Sequence, residues 1–496
     1  MITFLIALAV LICGYIVYGS FVERVFGANA ERSTPAYTHA DGVDFVPLPT
    51  WRVFLIQFLN IAGLGPIFGA IMGIMYGPAA YLWIVLGTLF GGAVHDYLSG
   101  MLSIRSGGAS LPELVGEQLG RPIKQTMRGF ALVLMILVGA VFVVNPANLI
   151  NMLTADGLSR LMSTSTEAVR DNMLIVWILI ILTYYVLATL LPVDKLIGRI
   201  YPFMGFALLF MAVGIMVGLF FHAGDLPEMF AGAGLSNRQP NPSTHPIFPM
   251  MFVSIACGAI SGFHATQSPL MARCIKNERL GRRVFYGAMV AEGAVALIWA
   301  AAAIAYMGGS YENLTAYFAT RGNSSATFVN ELSRSWLGTF GGILAIVGVV
   351  AAPITSGDTA LRSARLIAAD FLHIEQNSIR RRLMVSIPIF ALSAVIMMLD
   401  YNVLWRYFGW CNQTLSVFTL WAITVYLARH GKLYAITLLP ALFMTMVCCS
   451  YICVAPEGFR LPTGVGYAVG ATISAICLGL FVKFAASIKT KSCVSA

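Results

Sequence analysis

Residues 53–75 read VFLIQFLNIAGLGPIFGAIMGIM, an apolar run that is long enough to cross a bilayer but is interrupted in its middle. About 20 apolar residues cross the hydrocarbon core as a helix. Glycine permits backbone angles that a helix does not use, and Pro66 cannot donate a helical hydrogen bond but fits the first turn of a new helix. The run predicts a membrane helix broken at 63–66. The alternative is an unbroken helix whose small residues pack against a neighbour.

The rest of the chain has the same apolar character. Of its 496 residues, 58% are hydrophobic and 11% are charged, whereas a soluble domain carries about 25% charged residues. This composition excludes a soluble globular enzyme, a disordered chain and a nucleic-acid-binding domain. We attribute the net charge of +9 to loops that orient the chain in a membrane, and not to a nucleic-acid partner.

Thirteen apolar segments follow one another along the chain. The first is interpreted as a membrane helix and not as a signal peptide, because no basic residue precedes it and it is longer than the apolar part of a signal peptide. The pattern therefore predicts an all-α, multi-pass membrane protein with about thirteen spans. The segments are 2–21, 53–75, 78–102, 129–153, 172–191, 200–222, 247–268, 284–307, 340–360, 382–400, 403–428, 432–454 and 464–487.

The basic residues predict the orientation of these spans. With the N-terminus outside, the cytoplasmic stretches and the C-terminal tail hold 24 of the 31 Lys and Arg residues. Cytoplasmic loops carry the excess of Lys and Arg. We therefore expect a protein of the bacterial inner membrane with its N-terminus outside and its C-terminus in the cytoplasm.

A second interrupted segment, FVSIACGAISGFHATQSP, begins at Phe252, five segments after the first. An odd separation gives the two segments opposite orientations. The sequence thus predicts two inverted five-helix repeats, an arrangement typical of secondary transporters whose sites form at broken helices. The repeats are 53–222 and 247–428, separated by an outer loop at 223–246 and flanked by 1–52, with one extra helix, and by 429–496, with two.

The two predicted breaks are the candidate substrate site, because the N-terminus of a half-helix attracts a carboxylate. His264 either carries a coupling proton, since histidine titrates near neutral pH, or stays neutral and bonds a neighbouring helix. Two amides in the eleventh segment contact either the substrate or another helix. The candidate substrate residues are Asn60, Gly63, Gly65, Pro66, Gly258, Ser261, Gly262, His264, Asn412 and Gln413.

Three further candidates, His95, Asp96 and Glu292, are ionisable residues within apolar segments, where such residues are functional candidates by default. His95 and Asp96 are adjacent; they serve transport, or they only pack near the cytoplasmic surface, and as a pair they are too few to hold a metal. Glu292 has no positive charge within a turn of it, which favours its protonated form. It is then either a proton carrier or a neutral group bonded to a backbone carbonyl.

The densest polar cluster within an apolar run lies in the ninth segment. Thr355, Ser356, Asp358 and Thr359 place hydroxyls and a carboxylate close together on a helix. Such a set suits a proton or another cation. The alternative is that Asp358 simply pairs with Arg362, four residues further on.

Several motifs resemble the carbon starvation protein A family of bacterial transporters over roughly residues 50–430. They are IAGLGPIFG, GGAVHDYLSGMLSIRSGGASLPELVG, IACGAISGFHATQSP, TSGDTALRSARLIAADF and LWRYFGWCNQTLSVFTLW. The chain is similar to the compact branch of that family, to which the His95–Asp96 pair also belongs. The resemblance implies a leucine-transporter-type core and uptake of pyruvate, peptides or amino acids, with proton symport favoured.

The resemblance also implies where the two ligands bind. The substrate would lie between the second and seventh segments, and the coupling cation between the second and ninth. By position these are Gly63, Gly65 and Pro66, then Gly258, Gly262 and His264, then Thr355, Ser356, Asp358 and Thr359.

From both lines of reasoning we expect a secondary active transporter that takes up a small carboxylate, a short peptide or an amino acid by proton symport. The expected partners are this substrate, the proton and membrane lipid. No cofactor, metal, nucleic acid or enzymatic activity is expected, and the oligomeric state is not predicted. Sodium coupling, a channel, a membrane-embedded metal enzyme and a sensor remain as alternatives.

Overall fold

The computed structural model describes residues 1–162, 165–190, 197–230, 234–320, 325–376, 378–399 and 401–494. It is 81% helical, and this part of the chain contains no β-strand. A helix satisfies every backbone polar group within its own segment, which a chain in lipid requires. The expectation of an all-α, multi-pass membrane protein is confirmed.

The long helices follow the apolar segments. In chain order they are α1 (Ile2–Phe26), α2 (Thr50–Ile61), α3 (Gly65–Ile74), α4 (Ala79–Arg105), α5 (Leu111–Leu119), α6 (Arg121–Met162), α7 (Thr166–Leu190), α8 (Ile197–Phe221), α9 (Gly262–Ala272), α10 (Gly287–Tyr306), α11 (Tyr311–Thr320), α12 (Ser325–Leu372), α13 (Ile379–Ile396), α14 (Tyr401–Arg429), α15 (Ala435–Val454) and α16 (Thr463–Val494).

Short helical turns complete the described secondary structure. One lies in the loop after α1 and one after α8, three precede α9, and two precede α10. They are Pro35–Thr38, Ala223–Asp225, Ile247–Met251, Phe252–Ser254, Ala256–Ala259, Glu278–Leu280 and Arg282–Tyr286.

Nine helical stretches of the described residues are long and apolar enough to cross a membrane, and the bent pair α2 and α3 makes a tenth. Helices also form at the remaining three apolar segments: α13, α14, and the short helical pieces that end in α9. The count of thirteen spans and the inverted repeat therefore stay predictions. The ends of the predicted segments 172–191 and 382–400 and part of the loop 223–246 lie outside the described residues.

One predicted segment belongs to a much longer helix than expected. The segment 340–360 lies within α12, which is 48 residues long and bends at Gly338, where φ is 68°. A positive φ favours glycine, because a Cβ atom would be strained there. The bend separates the part of α12 that carries the Thr355 cluster from the part before it.

The core of the molecule surrounds α10. This helix is almost entirely buried, whereas α1, α7 and α16 carry large exposed apolar side chains. Such side chains suit contact with lipid. The central position of α10 places Glu292 in the interior, at no solvent exposure.

Candidate functional site

Both predicted breaks are present. The axes of α2 and α3 differ by 55° across residues 62–64. The second broken span interrupts its helix at Ile255 and again at Ile260 and Ser261, where the backbone is extended, with φ of −156° and −145°. The glycines and the proline that predicted these breaks therefore do interrupt the helices.

The two broken spans touch each other at the breaks. A Cβ atom on Gly65 would lie 2.2 Å from the Cβ atom of Cys257, and one on Gly69 would lie 2.7 Å from the carbonyl oxygen of Ser254. Gly258 lies on the other side of this contact, where its Cβ would be 3.7 Å from the Cα atom of Pro66. Side chains at these glycines would separate the spans.

Helix α14 fills the second break with two amide side chains. Asn412 Oδ1 accepts hydrogen bonds from the backbone N–H of Phe263 at 2.7 Å and from the Ser261 hydroxyl at 2.9 Å. Gln413 Nε2 donates to the carbonyl oxygen of Ile260 at 2.9 Å. Asn412 thus caps the N-terminus of α9, the position that the sequence analysis assigned to a substrate carboxylate. A carboxylate bound there would have to displace this amide.

The first break, in contrast, borders amides that lack partners. Gln57 and Asn60 lie one turn apart on α2, both are fully buried, and neither side-chain amide has a hydrogen-bond partner among the described residues. An unpaired buried amide is unfavourable by about 1–3 kcal/mol, so these groups are suited to a ligand. Gln57 was not predicted, although a polar residue one turn before Asn60 in an apolar run is a visible signal.

The predicted cluster on α12 faces this break. The hydroxyl oxygens of Thr355 and Ser356 lie 3.0 and 3.1 Å from the carbonyl oxygen of Leu59. Both hydroxyls also lie within hydrogen-bond distance of the carbonyl oxygen of Ala352, one turn earlier on α12. A Cβ on Gly63 would lie 3.3 Å from Ser356 Oγ. Three oxygens therefore converge where the first span ends its helix. The hydroxyl of Thr359 bonds the carbonyl oxygens of Thr355 and Ser356, within α12 itself.

Two tyrosines hold the carboxylate of Asp358. Tyr184 donates to Oδ2 at 2.9 Å, and Tyr201 donates to Oδ1 at 3.2 Å. Neither tyrosine was predicted, because nothing in the local sequence links residues of α7 and α8 to residue 358. Arg362, the alternative partner in the sequence analysis, makes an ion pair with Asp44 at 3.1 Å.

The remaining predicted ionisable residues form a continuous chain. His95 Nδ1 is 2.8 Å from Asp96 Oδ1, and His264 Nδ1 is 2.9 Å from Asp96 Oδ2. The second ring nitrogen of His264, Nε2, lies 3.4 Å from Glu292 Oε2. The two atoms are close enough for an ion pair, but their orientation does not make a hydrogen bond. All four side chains are fully buried. His264 therefore belongs with the ionisable residues, although it was grouped with the substrate residues.

A cavity of about 210 Å³ reaches the breaks from the predicted outer face. It touches Gly65 and Cys257, and its other end is lined by His245, Arg406 and Glu457. Its wall includes Phe408, whose ring is 5.7 Å from that of Phe142. A Cβ on Gly63 would in turn lie 2.8 Å from Phe142. An aromatic pair therefore stands between the cavity and the oxygens around Leu59.

At the predicted inner face, charged residues link several segments to one another. Arg362 bonds Asp44 and also the carbonyl oxygen of Ala188 on α7, and Arg365 lies 3.7 Å from Asp44. Burial alone would raise the pKa of Asp44. The positive charges of Arg362, Arg365 and Arg273 lower it by more than burial raises it, so the pKa lies below its usual value. Asp44 is thus a carboxylate that links the loop before α2 to α12.

Metal ligands do not cluster in the described part of the chain. No group of three or more His, Cys, Asp or Glu side chains there is arranged to hold a metal ion. His95, Asp96, His264 and Glu292 form a row and do not converge on one point.

Relatives of the chain include transporters. A membrane protein of Haemophilus influenzae is 49% identical over 346 residues, 63% of this chain and 92% of that protein. The peptide transporter CstA of Campylobacter jejuni is 29% identical over 59% of this chain and 48% of its own length. The pyruvate/proton symporter BtsT of Escherichia coli is 26% identical over 62% of this chain and 49% of its own length. The matched part of the chain spans about half the length of these two transporters.

A solved structure and a family model complete the comparison. A mutant form of the manganese transporter of Eremococcus coleocola superposes with a TM-score of 0.50 and 14% identity, covering 91% of this chain and 99% of that one. This likeness concerns the fold alone. The family model of the carbon starvation protein CstA matches residues 1–169, 163–338 and 324–450. The chain therefore belongs to the carbon starvation protein CstA family.

Proposed function

We propose that the protein is a secondary active transporter that takes up a small carboxylate, such as pyruvate, or a short peptide or amino acid by proton symport. The observation that carries this proposal is the meeting of two broken spans at a cavity. The helix before the first break adds two buried amides without partners among the described residues. Relatives named as a peptide transporter and a pyruvate/proton symporter support the same class of function.

The proposed architecture has thirteen spans, with two inverted five-helix repeats at 53–222 and 247–428. One helix precedes the repeats and two follow them. The protein lies in the bacterial inner membrane with its N-terminus outside. The two broken spans support this arrangement, because they stand at corresponding positions of the repeats, and the basic residues of the loops support the orientation.

The substrate would bind at the first break. The turn at Gly65 and Pro66 begins α3, so its backbone dipoles favour a carboxylate. Asn60 and Gln57 would donate to the polar atoms of the substrate, which gives these buried amides the partners that they lack. The capped second break would take part only if Asn412 moved away from Phe263.

The coupling ion would bind beside the substrate, at Asp358 or at the oxygens of Thr355, Ser356 and Leu59. A proton that crosses about 100 mV gains about 2.3 kcal/mol. Since ~1.4 kcal/mol corresponds to a factor of ten, one proton per substrate without net charge, such as a zwitterionic dipeptide, supports roughly fiftyfold accumulation. A pyruvate anion carried with one proton moves no net charge, so the pH difference alone drives its accumulation. Sodium is the second candidate ion, because two hydroxyls and a carbonyl oxygen also suit a hard cation.

Alternating access would follow from movement at the two faces. The cavity at the predicted outer face ends at Gly65 and Cys257, and the aromatic pair Phe142 and Phe408 lies beyond it. At the other face, Arg362 joins α12 to Asp44. Opening of the inner face would require this ion pair to break.

Uptake into proteoliposomes tests the proposal. We expect labelled pyruvate or a labelled dipeptide to accumulate when the lumen is more alkaline than the outside, and not under a sodium gradient at equal pH. Accumulation under the sodium gradient alone would replace the proton by sodium. Flux far above about 10³ per second, beyond ordinary turnover rates, would indicate a channel. Absence of uptake of both probes under either gradient would contradict the proposed function.

A further inference from the structure

His264 joins three helices through one imidazole ring. It lies on α9, two residues after Gly262, at which the inner half of the second broken span begins. Its Nδ1 atom is 2.9 Å from Asp96 on α4, and its Nε2 atom is 3.4 Å from Glu292 on α10. The ring therefore stands between two buried carboxyl groups that belong to different helices.

A neutral imidazole cannot satisfy two carboxylates at once, because only one of its nitrogens carries a hydrogen. With His264 Nδ1–H donated to Asp96, the lone pair of Nε2 faces Glu292. One additional proton resolves this conflict. It rests either on the Glu292 carboxyl group, which then faces Nε2 as a neutral group, or on Nε2, which then forms an ion pair with the Glu292 carboxylate at 3.4 Å. Both forms have the same net charge, so the proton passes between them without a change in the charge of the cluster.

The surroundings of this proton contain few other charges. Among the residues that the structure describes, no Lys or Arg nitrogen lies within 4 Å of Asp96 or Glu292. On the far side of Asp96, His95 Nδ1 contacts Oδ1 at 2.8 Å. The thiol of Cys257, on the same broken span as His264, accepts from Asn412 Nδ2 at 3.2 Å. On α12, Asp358 is engaged by its two tyrosines.

The position of α9 makes this proton relevant to movement. Ile260 and Ser261, immediately before α9, have extended backbone angles, and Asn412 bonds this short linker from α14. A helix that follows an extended linker can tilt as a rigid piece when its side contacts are released. The contact between His264 and Glu292 is a side contact that depends on one proton.

We propose that a proton shared by His264 and Glu292 clamps α9 to α10, and that loss of this proton releases α9 to tilt about Ile260 and Ser261. The inference rests on the proposed transport function, to which it adds the site that makes movement of the second broken span depend on protonation. His264 is then the centre of proton coupling, and Asp96 is a positioning residue that orients its ring through Nδ1.

Hydrogen–deuterium exchange of the purified protein tests the clamp without any transport. After correction for the intrinsic effect of pH, the amides of α9 should exchange about tenfold faster at high pH than at low pH, the change expected when a contact worth about 1.4 kcal/mol is lost. In Glu292→Gln the side chain is neutral at every pH, so no carboxylate charge opposes the lone pair of Nε2, and α9 should exchange slowly at both pH values. Exchange in α9 that does not depend on pH in the wild type would overturn the proposal.

Transport supplies the second measurement. Glu292→Gln should retain exchange of labelled pyruvate or dipeptide across liposomes at equal pH but should lose accumulation driven by a pH gradient. Glu292→Asp, which still titrates, should retain part of that accumulation. The matched controls are His222→Gln and Glu312→Gln. Both residues lie at helix ends and do not contact the row of buried ionisable residues, so both variants should behave as the wild type.

The outcomes separate this inference from the proposed function. Wild-type accumulation by Glu292→Gln would overturn the clamp and leave proton symport standing. Loss of both exchange and accumulation by a Glu292→Gln protein that unfolds at the wild-type temperature would also overturn it, because the defect would then concern binding. If the wild type transported neither probe, only the exchange measurement on α9 would decide the fate of the clamp.

Discussion

Gly65 of the first broken span lies directly against Cys257 of the second. A Cβ atom on Gly65 would stand 2.2 Å from the Cβ atom and 2.5 Å from the sulfur of Cys257, distances that no two such atoms adopt. Both residues also line the cavity of about 210 Å³. The contact between the spans and the end of the cavity are therefore the same place, and substitutions there test the proposed binding site.

Gly65→Leu should abolish substrate binding and uptake. The leucine would have to separate the two spans or fill the end of the cavity, and either change removes the site. Binding of pyruvate and of a dipeptide to the purified variant measures the effect. Gly479→Leu on α16 is the control, since nothing lies within 4 Å of a Cβ at that position. Normal affinity in Gly65→Leu would show that the break does not bind the substrate.

Asp358→Asn should remove the dependence of uptake on a pH gradient while the protein stays folded. The amide keeps the shape of the carboxyl group but does not titrate. Its oxygen can accept from one of the two tyrosines, Tyr184 or Tyr201, and its NH2 group can donate to the hydroxyl oxygen of the other. Uptake into liposomes under an imposed pH gradient is the measurement, and the exposed Asp225→Asn is the control. Proton-driven uptake at the wild-type level would remove Asp358 from the coupling role.

Asn412→Ala should destabilise the second break. The variant leaves the backbone N–H of Phe263 and the hydroxyl of Ser261 without their acceptor inside the protein. Each such buried group costs about 1–3 kcal/mol, so the unfolding temperature of the purified protein should fall. Asn313→Ala, at an exposed position of α11, should leave it unchanged. Equal unfolding temperatures for the two variants would contradict the capping role of Asn412.

Asp44→Asn should destabilise the protein in a manner that depends on pH. Burial raises the pKa of Asp44, but the neighbouring arginines lower it by a larger amount, so the pKa lies below its usual value. A carboxyl group with a lowered pKa stabilises the fold above its unfolded pKa of about 3.9 and loses this effect as the pH falls through the folded value. The difference in unfolding temperature between wild type and Asp44→Asn should be large at neutral pH and should narrow below about pH 4.

The control for Asp44 is an exposed ion pair. Arg381 and Glu375 lie 3.2 Å apart and are largely exposed, and such surface pairs contribute about 0–1 kcal/mol. Glu375→Gln should therefore change the unfolding temperature little at any pH. A difference for Asp44→Asn that stays constant from neutral to acid pH would show that its carboxylate charge has no role in stability.

Local chemistry allowed the breaks to be predicted from the sequence. Gly63, Gly65 and Pro66 favour a break in a helix, because glycine adopts non-helical backbone angles and proline cannot donate a helical hydrogen bond. Gly262 favours a break at the second span for the same reason. The long apolar segments were predicted for the same reason, since their length alone requires a membrane. What was not predictable is the bend of α12 at Gly338, because a single glycine is compatible with a continuous membrane helix.

The partners of the site residues could not be read from the sequence. His264 is 168 residues from Asp96 along the chain, and Tyr184 is 174 residues from Asp358. Only the packing of several helices brings each pair together. Asn412 was predicted as a polar residue in need of a partner, but whether this partner would be a ligand or the backbone of a broken helix was decided by the approach of α14 to Ser261. Gln57 carried a local signal and was missed.

The most direct test of the proposed coupling is to measure whether a gradient of substrate drives protons across the membrane. An inward gradient of pyruvate or of a dipeptide, imposed on proteoliposomes at equal pH on both sides, should drive protons inward and acidify the lumen. Liposomes with Glu292→Gln should exchange labelled for unlabelled substrate without acidification. Uptake by the wild type at an unchanged luminal pH, with the membrane potential clamped, would contradict proton symport and with it the role given to His264 and Glu292.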